Sequence, residues 1–212
     1  MSQPRWAVVV PVKRLAAAKS RLRGALPGVP HEELALALAA DTLRAVLACP
    51  AVAEVLVVTD DARVAAAARA AGARVLPDEP DAGLNAAFRH GAAASTAGWV
   101  AGLTADLPAL RPAELAGALL AAQTGRPGAR WFVPDAPGGG TVLLAAPPDV
   151  ALDPRFGEGS AAAHAASGAL PLTGDWPTLR RDVDTAADLA VAVRLGLGPR
   201  TAVLAGLGSP AR

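Results

Sequence analysis

Two groups of oppositely charged residues are the first candidates for chemistry in this sequence. One follows the apolar run Val8–Val12 and holds five cations within eleven positions, ending at Arg23. Lys13 and Lys19, the only two lysines of the chain, lie here, whereas every other basic residue apart from histidine is arginine. An ammonium group binds phosphate as a compact point charge, while a guanidinium is a planar fork. The segment is therefore a candidate anion site, although such a charge run can equally be a solvated surface.

The second group consists of aspartates that are far apart in the chain. Asp106 follows the apolar run Trp99–Thr104, and Asp182 and Asp184 flank Val183. Alternate side chains of an extended segment point to one side, so these three carboxylates offer hard oxygen ligands suited to Mg²⁺. Asp106 can instead be a turn residue, and Asp184 can be the N-cap of the helix that follows it.

A third set contains Thr141, Gly157 and Ser160. Its hydroxyl and backbone N–H groups could hold a phosphate, because Ser160 opens a predicted helix whose first N–H groups have no partner within the helix. Glycine and serine are also ordinary turn formers, so this set is a weak signal by itself.

Several common site patterns are absent from the sequence. It contains no P-loop, no Gly-x-Gly-x-x-Gly fingerprint and no zinc-ligand spacing. His31, His90 and His164 are scattered, and we expect them at surface or helix positions. Cys49 lies at a predicted helix end without local support for a nucleophile.

Composition limits the classes of protein that fit. A chain of 212 residues with 52% hydrophobic residues can form one core, which predicts a single domain over residues 1–212. One cysteine, no secretory signal and no long uninterrupted apolar stretch predict a cytosolic protein without a membrane role. A net charge of +1, with seven aromatic residues of which none is tyrosine, argues against nucleic-acid binding.

Strand and helix patterns alternate along most of the chain. We predict one strand that begins at Val8 and further strands over 54–60, 74–77, 99–104, 131–134 and 141–146. Helices are predicted over 30–48, 62–71, 112–123 and 160–167, and two more should begin after residues 81–85 and after residue 185. This alternation indicates an α/β fold with a mostly parallel sheet covered on both faces. Ligands of such sheets bind beyond the carboxyl ends of the strands, where Lys13, Asp60 and Asp106 are expected.

Four segments together resemble one family. Val10–Leu22, Asp106–Leu110, Asp153–Ser160 and Arg181–Thr185 occur in the order found in the guanylyltransferase of coenzyme F-420 biosynthesis. The resemblance implies a single-domain, three-layer nucleotide-binding sandwich of the nucleotide-diphospho-sugar transferase type, with a mixed and mostly parallel sheet. It also implies transfer of GMP from GTP to phosphoenolpyruvate or 2-phospho-L-lactate.

The resemblance also assigns roles to particular residues. It implies that magnesium is held by Asp106, Asp182 and Asp184, and that the phosphate of the acceptor is bound by Thr141, Gly157 and Ser160. The triphosphate would contact Lys13, Lys19 and Arg21. Candidates for nucleoside contacts are Gly83 and Asn85. Lys13, Lys19 and Asp106 are then the expected catalytic groups. One departure concerns Leu15–Ala18, which stand where the wider superfamily has glycines, so more of the phosphate neutralisation would depend on side-chain cations.

The sequence gives less direct evidence on the identity of the acceptor and of the partners. An Ala- and Arg-rich composition is typical of high-GC bacteria, whose family members are associated with phosphoenolpyruvate, so we place this acceptor ahead of 2-phospho-L-lactate. The transferase that next adds the deazaflavin is the expected partner. The alternatives are another small nucleotidyltransferase of the same fold and an inactive nucleotide-binding protein.

Overall fold

The alternating pattern folds into one seven-stranded sheet with helices packed on it. The computed structural model describes residues 5–17, 20–79 and 81–207. The strands are β1 (Trp6–Pro11), β2 (Val52–Val58), β3 (Arg74–Leu76), β4 (Trp99–Leu103), β5 (Trp131–Pro134), β6 (Thr141–Ala146) and β7 (Leu170–Pro171). The helices are α1 (His31–Leu47), α2 (Ala62–Ala71), α3 (Leu84–Ala93), α4 (Pro112–Thr124), α5 (Ser160–Ala166), α6 (Pro177–Arg180), α7 (Ala186–Leu195) and α8 (Pro199–Leu204).

The sheet is mixed and mostly parallel, as predicted. Its strand order is β3-β2-β1-β4-β6-β5-β7, and only β6 runs antiparallel to its two neighbours. The carboxyl ends of β1, β2, β4 and β5 therefore share an edge with the beginning of β6. That edge can collect residues from both halves of the chain.

Strand β1 lies in the middle of the sheet and is completely buried. Its run of Trp6 and branched valines pairs with β2 on one side and with β4 on the other. Hydrophobic residues of helices cover both faces, which explains why the strand is a continuous apolar run. The chain leaves this fixed strand directly before Lys13, so the sheet sets where the basic segment begins.

Helix α3 packs unusually close to the sheet because glycine removes side-chain bulk at two contacts. A Cβ at Gly91 would collide with Val9 of β1, and one at Gly102 would lie 2.8 Å from the ring of Phe88. The close packing holds the first turn of α3 at the carboxyl edge of the sheet. Substitution of either glycine would displace that turn.

The structure also corrects the sequence-based elements. Strand β1 begins at Trp6 and β2 begins at Val52, because Trp6 pairs with Val52 before the predicted strands start. β7, α6 and α8 are two to six residues long and were not predicted. The hairpin between β5 and β6 is confirmed, as is the capping box between Thr185 and Asp188. Among the described residues, no helix is long and apolar enough to span a membrane.

Candidate active site

A cavity of about 380 Å³ opens at the carboxyl edge of the sheet. Lys13 and Arg21 line it together with Asp106 and Asp184, above apolar residues of α1 and α3. Cations from the beginning of the chain and carboxylates from its middle and end thus face one space. This arrangement suits a ligand that carries both phosphate groups and a metal ion.

The cationic part of the cavity is the basic loop, residues 13–23. Lys13 and Arg21 are exposed and line the cavity, and Lys19 lies outside the described residues. Arg14 is directed elsewhere, because its guanidinium lies 3.2 Å from the carboxylate of Asp60 and 3.7 Å from that of Asp81. Lys13 and Arg21 are therefore the described cations of the loop that face the cavity.

An aspartate of α2 fixes the course of the basic loop. The N–H of Leu15 donates to the carboxylate of Asp61 at 3.0 Å, and the same side chain caps α2 by accepting from Arg63 and Val64. Burial works against its charge, but these three N–H donors outweigh burial and hold the pKa of Asp61 below its ordinary value. The anchor therefore stays ionised at neutral pH.

Acidic residues that do not line the cavity also lie near the start of the basic loop. Asp78 donates its backbone N–H to Asp60 at 3.0 Å. Burial, followed by the charges of Asp81 and Asp60, raises the pKa of Asp78, while Lys13 and Arg14 act in the opposite direction. Lys13 thus lines the cavity and is also close enough to Asp78 to lower the pKa of its carboxyl.

Asp106 is positioned by a buried threonine of α1. The hydroxyl oxygen of Thr42 accepts from the N–H of Leu107 at 2.9 Å and lies 3.1 Å from the carbonyl oxygen of Ala105. The single hydroxyl proton lies between the carbonyl oxygens of Leu38, at 2.9 Å, and Ala105, so the bond accepted from Leu107 is the one that holds the backbone beside Asp106. The N–H of Val183 donates to the carbonyl of Asp106 at 3.0 Å, which brings the Asp182–Asp184 segment to the same place.

The carboxylates fit a magnesium ion that is shared with a phosphate ligand. Asp106 and Asp184 line the cavity, whereas Asp182 is not among its lining residues. Within the described ranges, no group of three His, Cys, Asp or Glu side chains is arranged to hold a metal. Mg²⁺ is usually bound by one or two carboxylates, with substrate phosphates and water as further ligands. Two carboxylates on one cavity meet that requirement.

The first turn of α3 supplies another wall of the cavity. Gly83 is the N-cap residue of α3, with a φ of 90° that favours glycine, and Leu84 lines the cavity. The amide of Asn85 is engaged elsewhere: it donates to the carbonyl of Phe156 at 3.0 Å and accepts from the Phe156 N–H at 2.8 Å. Asn85 therefore joins α3 to the segment before α5.

The three residues predicted to bind the acceptor lie near His164 in a second region, which we call the acceptor pocket after that prediction: Thr141, Gly157, Ser160 and His164, of which Gly157 alone is exposed. Thr141 is 5% exposed and Ser160 1%. The Thr141 oxygen lies 2.9 Å from Nδ1 of His164, and Nε2 of His164 accepts from the Arg155 N–H at 2.9 Å. Burial, reinforced by the charge of Arg130, lowers the pKa of His164 to about 4. The imidazole is therefore neutral at physiological pH.

Backbone bonds shape the entrance of helix α5. The N–H of Ser160 donates to the carbonyl of Gly157, and that of Ala161 donates to Gly139 of the hairpin loop. The hydroxyl of Ser160 is buried without a hydrogen-bond partner among the described residues. A buried hydroxyl in this condition is costly unless a ligand satisfies it.

The acceptor pocket adjoins the carboxyl end of β4. Thr104 donates its backbone N–H to Val142 at 3.0 Å, next to Thr141. Thr104 also lines the cavity, two residues before Asp106. One short stretch of β4 and its outlet thus borders both regions.

Sequence analysis missed two residues of this site. We predicted surface or helix positions for the histidines, and all three are helical, but His164 is fully buried. Its position four residues after Ser160 places both on one helix face, which is a signal that could have been used. Thr42, a hydroxyl among the buried apolar residues of α1, gave a similar signal.

Comparisons with known proteins show the family of this chain. A model of the MobA-like NTP transferase domain matches residues 31–155. A phosphoenolpyruvate guanylyltransferase from Salinispora arenicola is 74% identical over 205 residues, which cover 97% of this chain and 95% of the relative. The chain belongs to the phosphoenolpyruvate guanylyltransferase family. Another member, from Geodermatophilus obscurus, is 56% identical over 206 residues, or 95% of this chain and 94% of the relative.

A solved structure supports the predicted fold type for this guanylyltransferase-family chain. A protein from Desulfovibrio desulfuricans described as a nucleotide-diphospho-sugar transferase superimposes with a TM-score of 0.69. The match covers 98% of this chain and all of the other, at 18% identity. The shared feature at this identity is the fold.

Proposed function

We propose that this protein transfers GMP from GTP to phosphoenolpyruvate and releases pyrophosphate. The observation that carries the proposal is the 74% identity, over nearly the whole chain, to a protein named for that activity. The cavity supports it, because cations and carboxylates face one another there as a triphosphate with magnesium would require.

The reaction forms a bond between an oxygen of the acceptor's phosphate and the α-phosphorus of GTP. The bond from that phosphorus to the β-phosphate oxygen breaks, and pyrophosphate leaves with the electron pair. Since the attacking oxygen of a phosphate monoester is already anionic near neutral pH, no general base is needed. The main difficulty is repulsion between two anions, which the protein reduces by positioning and by charge.

Side chains of the basic loop face the negative charge of GTP in this proposal. Lys13 and Arg21 line the cavity, and Lys19 joins them on the strength of the family resemblance. Gly83 lies beside Leu84 at the start of α3, where the nucleoside can approach the backbone closely. Asn85 is also a predicted nucleoside contact, but its amide is hydrogen-bonded to the backbone of Phe156. Its contribution is therefore to fix the segment before α5 against α3.

Asp106 and Asp184 would hold Mg²⁺, with Asp182 as the third predicted ligand. When bound, the ion supplies positive charge to the phosphates and orients them. Thr42 keeps Asp106 at the cavity by accepting a hydrogen bond from the N–H of Leu107, the residue that follows it. The Val183 N–H keeps the second acidic segment beside it.

Donors of the acceptor pocket would bind the anionic groups of phosphoenolpyruvate. The Ser160 hydroxyl lacks a partner among the described residues, and Thr141 and the Gly157 backbone lie beside α5. We place the reaction in the cytoplasm, in coenzyme F-420 biosynthesis, with the deazaflavin transferase receiving the product.

The decisive experiment measures pyrophosphate release by the purified protein with Mg²⁺. GTP, CTP and ATP are each combined with phosphoenolpyruvate or with 2-phospho-L-lactate. We expect turnover with GTP and phosphoenolpyruvate, and loss of turnover with EDTA. Preference for 2-phospho-L-lactate would change the acceptor, preference for another nucleotide would change the reaction, and absence of pyrophosphate in every combination would indicate a binding protein.

A further inference from the structure

His164 is a buried polar group to which the proposed chemistry gives no role. It is fully buried on α5 between Phe132 and Phe156, whose ring centroids lie 5.9 and 5.1 Å from that of the imidazole. The charged groups that act on it are Arg130, Asp153 and Arg155. A histidine in such a place must satisfy both ring nitrogens by hydrogen bonds.

The hydrogen bonds determine which nitrogen carries the proton. The backbone N–H of Arg155 can only donate, so Nε2, at 2.9 Å from it, is the acceptor and has no proton. The proton of the neutral ring is then on Nδ1. Since Nδ1 lies 2.9 Å from the Thr141 oxygen, it donates to that oxygen.

This bond leaves the Thr141 hydroxyl as a donor. Its oxygen accepts from His164, and it makes no second hydrogen bond to another described residue. The hydroxyl proton is thus available for an anion in the same pocket. Ser160, one helical turn before His164, presents a second hydroxyl without a protein partner among the described residues.

We propose that His164 is a positioning residue for the acceptor: it fixes the Thr141 hydroxyl so that its proton is donated to an anionic oxygen of the acceptor. The inference rests on the proposed function, and it assigns His164 no contact with the reacting atoms. A hydroxyl that is held in place loses less rotational freedom when the anion binds than one that must first be oriented.

The Nε2 side of the imidazole ring also holds the backbone before α5 in place. Nε2 holds the N–H of Arg155, and Asn85 holds both backbone polar groups of Phe156. Gly157 follows directly, with a φ of 136° that favours glycine. His164 and Asn85 thereby fix the segment whose backbone is expected to meet the acceptor.

The first test determines the tautomer of His164 in the wild-type protein. Long-range ¹H–¹⁵N spectra of protein with labelled histidine, assigned with His164→Asn, distinguish Nδ1–H from Nε2–H. We expect the Nδ1–H form with no titration between pH 5.5 and 8, in agreement with the low pKa of this residue. An Nε2–H tautomer would overturn the inference whatever the activity of the protein.

The second test separates positioning from simple support of the fold. His164→Asn keeps an amide near the Nδ1 position, whereas His164→Gln places its amide near Nε2. We expect His164→Gln to raise the KM for phosphoenolpyruvate roughly tenfold with the KM for GTP unchanged, the value for about one lost hydrogen bond to a charged group. His164→Asn should restore most of that loss.

A double-mutant cycle that combines His164→Gln with Thr141→Val tests whether His164 acts through Thr141. If His164 acts through Thr141, His164→Gln adds little to the KM for phosphoenolpyruvate once the hydroxyl is gone. Equal changes in both KM values, or additive changes in the double variant, would show a structural role only. Wild-type protein that releases no pyrophosphate with phosphoenolpyruvate would instead refute the proposed function, and the acceptor role of His164 with it.

Discussion

The two regions that we propose to bind anions are built in opposite ways. In the basic loop, Lys13 and Arg21 are exposed and face an open cavity. In the acceptor pocket, Thr141, Ser160 and His164 are almost completely buried. One region presents exposed charges, and the other presents buried neutral donors.

This difference follows from what each region must bind. A triphosphate with its metal carries several charges, so exposed cations can neutralise it by long-range attraction. A small acceptor has few groups to recognise, and fixed hydrogen bonds identify them at lower entropic cost. Loss of a charged group should therefore affect turnover most, and loss of a single buried hydroxyl least.

Asp106→Asn should have the largest effect on activity. Asparagine keeps the shape of the side chain but removes the charge that would hold the metal beside the phosphates. We expect turnover to fall by roughly two to three orders of magnitude, as for the loss of a main electrostatic stabiliser. Pyrophosphate release at saturating GTP measures this, and thermal melting shows whether the variant is folded.

Asp149→Asn is the matched control for that variant. Asp149 is exposed after β6, whose last residue pairs with Val100 at the beginning of β4, so it lies at the edge of the sheet opposite the cavity. Its positive φ is one that asparagine adopts readily. Equal loss of turnover in both variants would show that Asp106 has no special role.

Lys13→Ala should have the next largest effect, on GTP. Because Lys13 is exposed at the cavity, its removal should weaken binding of GTP or its turnover roughly 10- to 100-fold while the melting temperature stays nearly constant. The difference from wild type should shrink at high salt, since screening weakens an exposed charge. Arg126→Ala, an exposed cation between α4 and β5, serves as the control. A large drop in melting temperature with normal kinetics would mean that the lysine is structural.

The stability of the folded protein should depend on pH through His164 of the acceptor pocket. The pKa of His164 is about 4 in the folded protein, against an ordinary 6.5. Between these values the unfolded chain binds the proton more readily, so stability is complete above pH 6.5 and decreases as the pH falls towards 4. The decrease is at most about 1.4 kcal/mol per pH unit.

Urea unfolding of wild type and His164→Asn at pH 5 and 7 isolates this contribution. Arg130, Asp153 and Arg155 remain in both proteins, so the difference between their pH slopes reports on His164. We expect the variant to lose less stability on acidification than wild type. Identical slopes would mean that the residue titrates normally in the folded state.

Sequence reasoning predicted the basic loop better than the acceptor pocket for a physical reason. Lys13 and Asp106 follow apolar strands, and the parallel arrangement of β1 and β4 brings strand ends to one edge. The contacts of His164 depend on Thr141 of the antiparallel strand and on Arg155 of a loop, neither of which periodicity can orient. For Asn85, the resemblance suggested a ligand contact, while its amide binds Phe156, a partner 71 positions away.

Ser160→Ala should give the smallest and most diagnostic effect. The Ser160 hydroxyl is buried and has no protein partner among the described residues, so its removal should leave stability unchanged or slightly higher. The acceptor, in contrast, would lose one donor, and we expect its KM to rise about fivefold, roughly 1 kcal/mol, with the KM for GTP unchanged. The melting temperature and the two KM values, measured on the same sample, distinguish a role in acceptor binding from a role in stability. A fall in stability with both KM values intact would show that the hydroxyl supports α5 rather than the acceptor, and the contrast between the two regions would then rest on Thr141 alone.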